Sequence, residues 1–217
     1  RREQGDDHVL GNSGNDTFNF GGDFTSKDII NGGSGADTVT LSGDYASGVT
    51  FGAATMTGVE KVVLSVGHDY KLMTNDGTVA SGATLTVSGS TLGAQDNLTF
   101  DGSAEKDGSF VVIGGAGRDT LTGGSGKDTL NGEAGNDVLK GGHGADHLTS
   151  GGGNDKFVYA AAADSTGSKF DTIAGYDAHG DTFSVPGTIT GINHALSSGT
   201  LASGSAFDAD LATAVNA

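Results

Sequence analysis

From Gly114 to Val158 the chain repeats a nine-residue unit five times without a gap: GGAGRDTLT, GGSGKDTLN, GEAGNDVLK, GGHGADHLT and SGGGNDKFV. The sixth residue is always aspartate (Asp119, Asp128, Asp137, Asp146, Asp155). The eighth is always large and apolar (Leu121, Leu130, Leu139, Leu148, Phe157). Glycine fills most of positions one, two and four. A single unit of this size cannot bury its apolar residue, so a period this strict predicts a solenoid in which each unit is covered by its neighbours.

Glycine reaches left-handed backbone angles that cost other L-residues free energy, so a GGxGxD hexapeptide can coil tightly and turn its carbonyl oxygens toward one point. The last three residues of each unit form a short strand whose middle side chain points inward. Two units make one turn, which stacks residues eighteen apart at about 4.8 Å, the spacing of strands in a sheet. Asp119, Asp137 and Asp155 then line one edge, and Asp128 and Asp146 the other. The second register continues to Asp164, eighteen residues after Asp146. Carboxylates at this spacing repel, and lysine and arginine are too few and out of register to neutralise them. A hard divalent cation between the turns resolves the conflict. Calcium accepts six to eight oxygen ligands in flexible geometry, magnesium demands a strict octahedron, and zinc prefers the thiolates and imidazoles that these loops lack.

The five units match the motif GGxGxDxUx, and over residues 114–158 the chain resembles the RTX (repeats-in-toxin) calcium-binding family. The resemblance implies an all-β, right-handed parallel β-roll or β-helix with calcium between its turns. It also implies how the ligands divide. One loop gives the carbonyls of positions two and four and its Asp; the loop one turn later gives the carbonyls of positions one and three and its Asp. On this sequence the first site takes Gly115, Gly117, Asp119, Gly132, Ala134 and Asp137. The second takes Gly124, Gly126, Asp128, Gly141, His143 and Asp146. The third takes Glu133, Gly135, Asp137, Ser150, Gly152 and Asp155. A fourth starts from Gly142, Gly144 and Asp146 and closes on Asp164, in a YAAAAD loop that has no glycine.

A weaker array opens the chain. REQGDDHVL and GNSGNDTFN are followed by a three-residue insertion, then by DFTSKDIIN and GGSGADTVT. Stacking predicts one site from Glu3, Gly5 and Asp7 with Asp23, Thr25 and Asp28. A second joins Asn12, Gly14 and Asp16 with Gly32, Ser34 and Asp37. About six calcium ions are expected in all, which would offset most of the formal charge of −16. The chain divides into N-terminal repeats (1–40), a β-rich spacer (41–113), the main roll (114–164) and a closing segment (165–217). In the spacer, runs such as GVTF, VEKVVLS, ATLTVSG and SFVVIGG alternate with turn residues, which suits an irregular β-helix continuing the stack; a separate small β-sandwich is the alternative. In DTIAGYDAHGDTFSV, Asp171 and Asp177 are expected to cap the last turn, with aromatic residues covering its apolar end. SAFDADLATAVN fits a short helix over 205–216 with Ser205 as its N-cap.

The acidic balance argues against nucleic acid or an anionic membrane surface as partner, and no apolar stretch is long enough for membrane insertion. The absence of cysteine excludes disulfides and thiol nucleophiles. No HExxH, GxSxG or phosphate-loop motif occurs, so no enzyme activity is expected. Arg1 falls in mid-repeat, and the remainder of a larger parent protein is the expected covalent partner. The resemblance implies a secreted or cell-surface bacterial protein, exported by a one-step (type I) channel and folding on calcium outside the cell in a structural or adhesive role. The non-catalytic tail of a secreted protease or lipase, and a module that binds a glycan or other surface ligand, are the alternatives.

Overall fold

The computed structural model describes residues 5–165, 169–185 and 199–202. The expected helix over 205–216 lies outside them. Within them the chain is almost entirely β, with one 3₁₀ turn at Ala162–Asp164.

The strands stack into parallel sheets. A nine-stranded sheet runs without a break from Thr17–Phe20 through Thr38–Leu41, Lys61–Leu64, Thr84–Ser88, Ser109–Gly115, Thr129–Glu133 and His147–Thr149 to Thr172–Tyr176 and Gly199–Ala202. A seven-stranded sheet contains Tyr45–Phe51, Tyr70–Thr74, Leu98–Asp101, Thr120–Thr122, Val138–Lys140, Lys156–Val158 and Thr182–Ser184. His8–Leu10, Ile29–Asn31 and Met56–Thr57 form a third sheet. Only the Gly199–Ala202 strand pairs antiparallel among the described residues. In the main array successive strands alternate between the two larger sheets, as a two-unit turn requires. Thr120 pairs with Val138, and Thr129 with His147.

The spacer does not form a sandwich, which needs antiparallel strands. Its strands pair in parallel with both repeat arrays: Lys61–Leu64 on Thr38–Leu41, and Ser109–Gly115 on Thr129–Glu133. Period-two alternation explains this. In Lys61–Leu64, Val62 and Leu64 are fully buried, and in Leu98–Asp101 so are Leu98 and Phe100.

The eighth residues of the units form the core of the main roll. Leu121, Leu130, Leu139, Leu148 and Phe157 are all fully buried and stack in register, Leu121 on Leu139 and Leu139 on Phe157. At the C-terminal end Phe183 lies over Phe157, ring centroids 5.4 Å apart, with Tyr176 5.2 Å from Phe183. These rings cover an apolar end that would otherwise present a sticky edge.

Candidate metal centres

The loops between strands place the aspartates in two ladders. Along each ladder the backbone N–H of a repeat aspartate donates to a carboxylate oxygen one turn later, with Asp28 the exception, its N–H going to the Thr25 carbonyl. Asp119 donates to Asp137, Asp128 to Asp146 and Asp137 to Asp155, each at 2.8 Å and eighteen residues apart. In the N-terminal array Asp7 donates to Asp28 at 2.8 Å and Asp16 to Asp37 at 2.7 Å, twenty-one residues apart because of the insertion.

With Oδ1 committed upward, Oδ2 faces the turn below. On six aspartates (Asp16, Asp37, Asp119, Asp137, Asp146, Asp155) that oxygen is buried and has no hydrogen-bond partner; Asp171 Oδ2 is buried too, with the Tyr159 hydroxyl beside its carboxyl. An orphaned buried carboxylate oxygen costs free energy unless something positive meets it. A carbonyl from the next turn converges on the same point. A Cβ on Gly114 would lie within 3 Å of both Asp119 Oδ2 and the Gly132 carbonyl, and one on Gly132 within 3 Å of Asp137 Oδ2 and the Ser150 carbonyl. Gly11 is placed in the same way against Asp16 Oδ2 and the Gly32 carbonyl. At Gly11, Gly114 and Gly132 a side chain would fill the cradle where these oxygens meet, whereas the fifth unit has Ser150 at that position. Position four is as tight: a Cβ on Gly144 would lie 2.6 Å from Asp146 Oδ1 and closer still to the Gly126 carbonyl. These are all-oxygen donor sets with two carboxylates per gap, which is the chemistry calcium accepts.

In the first main gap, Asp119 Oδ2 and the Gly132 carbonyl converge at Gly114, and the Gly117 carbonyl and Asp137 Oδ1 at Gly135. The Gly115 carbonyl accepts the Ala134 N–H at 2.9 Å, and the Gly124 carbonyl that of His143 at 3.0 Å. The Glu133 carbonyl accepts the Gly152 N–H at 2.7 Å, and the Gly152 carbonyl that of Gly135 at 2.8 Å. Asn12 and Ser34 exchange similar bonds with Ser34 and Gly14. These carbonyls thus serve the inter-turn ladder with one lone pair and retain the other. Asn12 and Glu133 both hold φ at 71°, where the motif has glycine, and Gly33, Gly115, Gly142 and Gly151 at the same position also have positive φ. Asp128 departs from the pattern: its Oδ1 accepts from Phe110 and its Oδ2 from Gly124, both at 2.7 Å.

The register beyond Asp146 differs from the sequence expectation. The Asp146 N–H donates at 3.0 Å to Asp171, not to Asp164. Residues 160–164 instead close on themselves, Asp164 Oδ2 accepting from Ala160 at 2.7 Å and Ala161 at 3.0 Å. The glycine-free loop takes a 3₁₀ turn and lengthens the step to twenty-five residues. Asp164 Oδ1 stays 3.4 Å from His143 Nδ1. On the other edge Asp181, rather than Asp177, receives the Asp155 N–H at 2.8 Å. Both newcomers carry a signal the repeats share, an aspartate followed by Thr and an apolar residue: DTI and DTF echo DTL.

The N-terminal sites are unequal. Glu3 lies outside the described residues, and Gly5, Asp23 and Thr25 are exposed. Both oxygens of Asp28 are taken, Oδ1 by Asp7 and Oδ2 by the Thr25 N–H at 2.6 Å. The Asp16–Asp37 gap has the open oxygen and the cradle.

Burial dominates the electrostatics. It pushes Asp119 up to about 6, Asp137 and Asp146 up to about 7 and Asp171 up to about 8, from the ordinary 3.8; it also raises Asp128 and Asp155. Neighbouring carboxylates add to it at Asp137 and Asp146. Among the described residues, three carboxylates meet at Asp76, Glu105 and Asp107. That cluster is already satisfied: Glu105 accepts N–H bonds from Val79, Lys106, Asp107 and Gly108, and Lys106 pairs with Asp76 at 2.6 Å.

A family model for the RTX calcium-binding nonapeptide repeat matches this chain in four copies, over residues 3–24, 25–44, 111–139 and 122–157. The chain carries RTX calcium-binding repeats, of a kind typical of secreted bacterial proteins. No curated protein matches the chain.

Proposed function

We propose that this chain is a calcium-folded structural module of a larger secreted or cell-surface bacterial protein, with a structural rather than a catalytic role. The observation that carries this reading is the row of buried, unpartnered Oδ2 atoms, of which those of Asp16, Asp37, Asp119 and Asp137 converge with a backbone oxygen from the turn below. When bound, calcium supplies the positive charge that these gaps lack. Gly117, Asp119, Gly132 and Asp137 would hold one ion, and Gly126, Asp128, Gly141 and Asp146 another. Gly135, Asp137, Ser150 and Asp155 would hold a third, and Gly14, Asp16, Gly32 and Asp37 would hold one in the N-terminal array. About six ions per chain is the expected load. The aspartates are shared between successive gaps, so the ends fold cooperatively, and ligand binding to the folded form alone becomes folding free energy. At the low free calcium of a cell interior the carboxylates disfavour the stack; at the roughly millimolar calcium typical of weak extracellular sites they favour it.

Far-ultraviolet circular dichroism tests this. The chain should show little β signal in chelator and gain it cooperatively on addition of calcium. A β-rich spectrum indifferent to chelation refutes the coupling.

A further inference from the structure

The N-terminal array ends, by its motif, at Asp37, yet Asp37 Oδ2 is buried and unpartnered like those inside the main array. Asp37 itself is fully buried. The next turn, residues 56–64, carries no repeat motif. It nonetheless presents oxygen to that atom. A Cβ on Gly32 would lie 2.5 Å from Asp37 Oδ2 and closer still to the Gly58 carbonyl, the same convergence that Gly114 and Gly132 show in the main array. Glu60 occupies the ladder position one turn below Asp37, its Oε2 accepting the Asp37 N–H at 2.8 Å across twenty-three residues. Each repeat aspartate except Asp28 has its N–H met in this way by a carboxylate below it. Oε1 of Glu60 takes no hydrogen bond, and no ion pair reaches Asp37 or Glu60 among the described residues.

The opposite edge of the same array is an internal control. Below Asp28 the chain brings Ala54 and Thr55, and no carboxylate: the Ile30 N–H donates to the Thr55 carbonyl at 2.9 Å. There Oδ2 turns back to its own loop and is satisfied by Thr25. Asp28, with no carboxylate below it, closes Oδ2 on its own loop, whereas Asp37, above Glu60, keeps Oδ2 open.

We propose that Glu60 closes an additional calcium site, formed with Asp37 Oδ2 and the Gly58 carbonyl, which fastens the first turn of the spacer to the N-terminal repeats. The site rests on the calcium reading of the repeats and extends it by one rung into sequence that has no motif.

The test is the number of calcium ions held by the full chain, read by native mass spectrometry at saturating calcium, in the wild type and in Glu60→Gln. Glutamine keeps an oxygen for the Asp37 N–H and removes only the charge. The variant should hold one ion fewer, and Met56–Leu64 should lose calcium-dependent protection from hydrogen exchange while residues 114–158 keep theirs. An unchanged ion count in Glu60→Gln overturns the site and leaves the repeats standing; a wild type that holds no calcium overturns the repeat reading itself. Crystals of the wild type grown in calcium give a second measurement that does not depend on the variant folding. An ion between Asp37, Gly58 and Glu60 upholds the site, and a water or a direct protein contact there refutes it.

Discussion

Replacing Asp137 by asparagine should move the chain in opposite directions with and without metal. Asp137 is 1% exposed and its carboxyl is pushed up to about 7, first by burial and then by Asp119 and Asp155. The folded carboxyl therefore holds its proton more tightly than the unfolded one. Its favourable contribution is complete below the unfolded value near 4, declines as pH rises, and is gone above about 7, where the full cost of burying the charge remains. A gap of about 3 units corresponds to on the order of 4 kcal/mol. At pH 7.5 in chelator, Asp137→Asn escapes that cost. Its Oδ1 still accepts the Asp119 N–H, and its new N–H group can donate to the Ser150 carbonyl, which shares the cradle with Oδ2. In calcium the same change removes a charged ligand shared by two gaps. At about 1.5–3 kcal/mol for each charged contact, the calcium midpoint should rise at least about tenfold. The assay is circular dichroism, titrated with calcium in one series and, in chelator, with trimethylamine N-oxide to drive apo folding. Easier apo folding together with weaker calcium response is the expected signature. If Asp137→Asn destabilises both states alike, the carboxylate is an ordinary structural hydrogen-bond acceptor and the argument from orphaned charge fails.

Two further outcomes follow from the same geometry. Gly132→Ala places a methyl group between Asp137 Oδ2 and the Ser150 carbonyl, so the midpoint should rise more than about tenfold. Gly152→Ala, whose Cβ would meet nothing within 4 Å, should change stability by less than about 0.5 kcal/mol; comparable damage from both in calcium titrations would show that the cradle is not the reason for glycine. Ligation requires deprotonated carboxylates, so the calcium midpoint should rise as pH falls from 8 to 5. In chelator the dependence reverses, with β content growing as pH falls from about 7 toward 4, because Asp119, Asp137, Asp146 and Asp171 then bind protons in the folded state. A calcium midpoint flat across that pH range would contradict the raised carboxyls.

Most of the stack was legible because its two periods are written in different residue types. The nine-residue spacing of Asp and Leu fixes which strands neighbour each other, and the period-two alternation in the spacer fixes which side chains enter the core. The three-residue insertion after Asn19 was legible too, since it shifts the ladder without breaking it, and Asp16 meets Asp37 as the spacing requires. What the spacing could not give is how loops of irregular length return to register. Asp164 has the right count from Asp146, but with alanines in place of glycines its loop cannot take left-handed angles cheaply. It closes into a 3₁₀ turn, and the chain travels on to Asp171 before the next strand pairs. Counting residues predicts register only where the loop backbone is the same in every turn.

The direction of the ladder explains why carboxylates outside the motif recur at its ends. From Asp119 to Asp155 each repeat aspartate spends Oδ1 on an N–H of the turn above and, Asp128 apart, leaves Oδ2 open, as Asp37 does in the N-terminal array. A motif that simply stops leaves its last aspartate with a buried charge and half a site. Asp155 is such a residue, and Asp181 follows it. Asp181 receives the Asp155 N–H through Oδ1 but turns Oδ2 to the Asp177 N–H of its own loop at 2.8 Å, so the chain of open oxygens ends there. Glu60 answers Asp37 in the same way from a turn that carries no repeat motif. Carboxylates outside the motif, Glu60, Asp171 and Asp181, thus carry the ladder past the last glycine-rich loops, and at Asp28 and Asp181 the second oxygen turns back to its own loop.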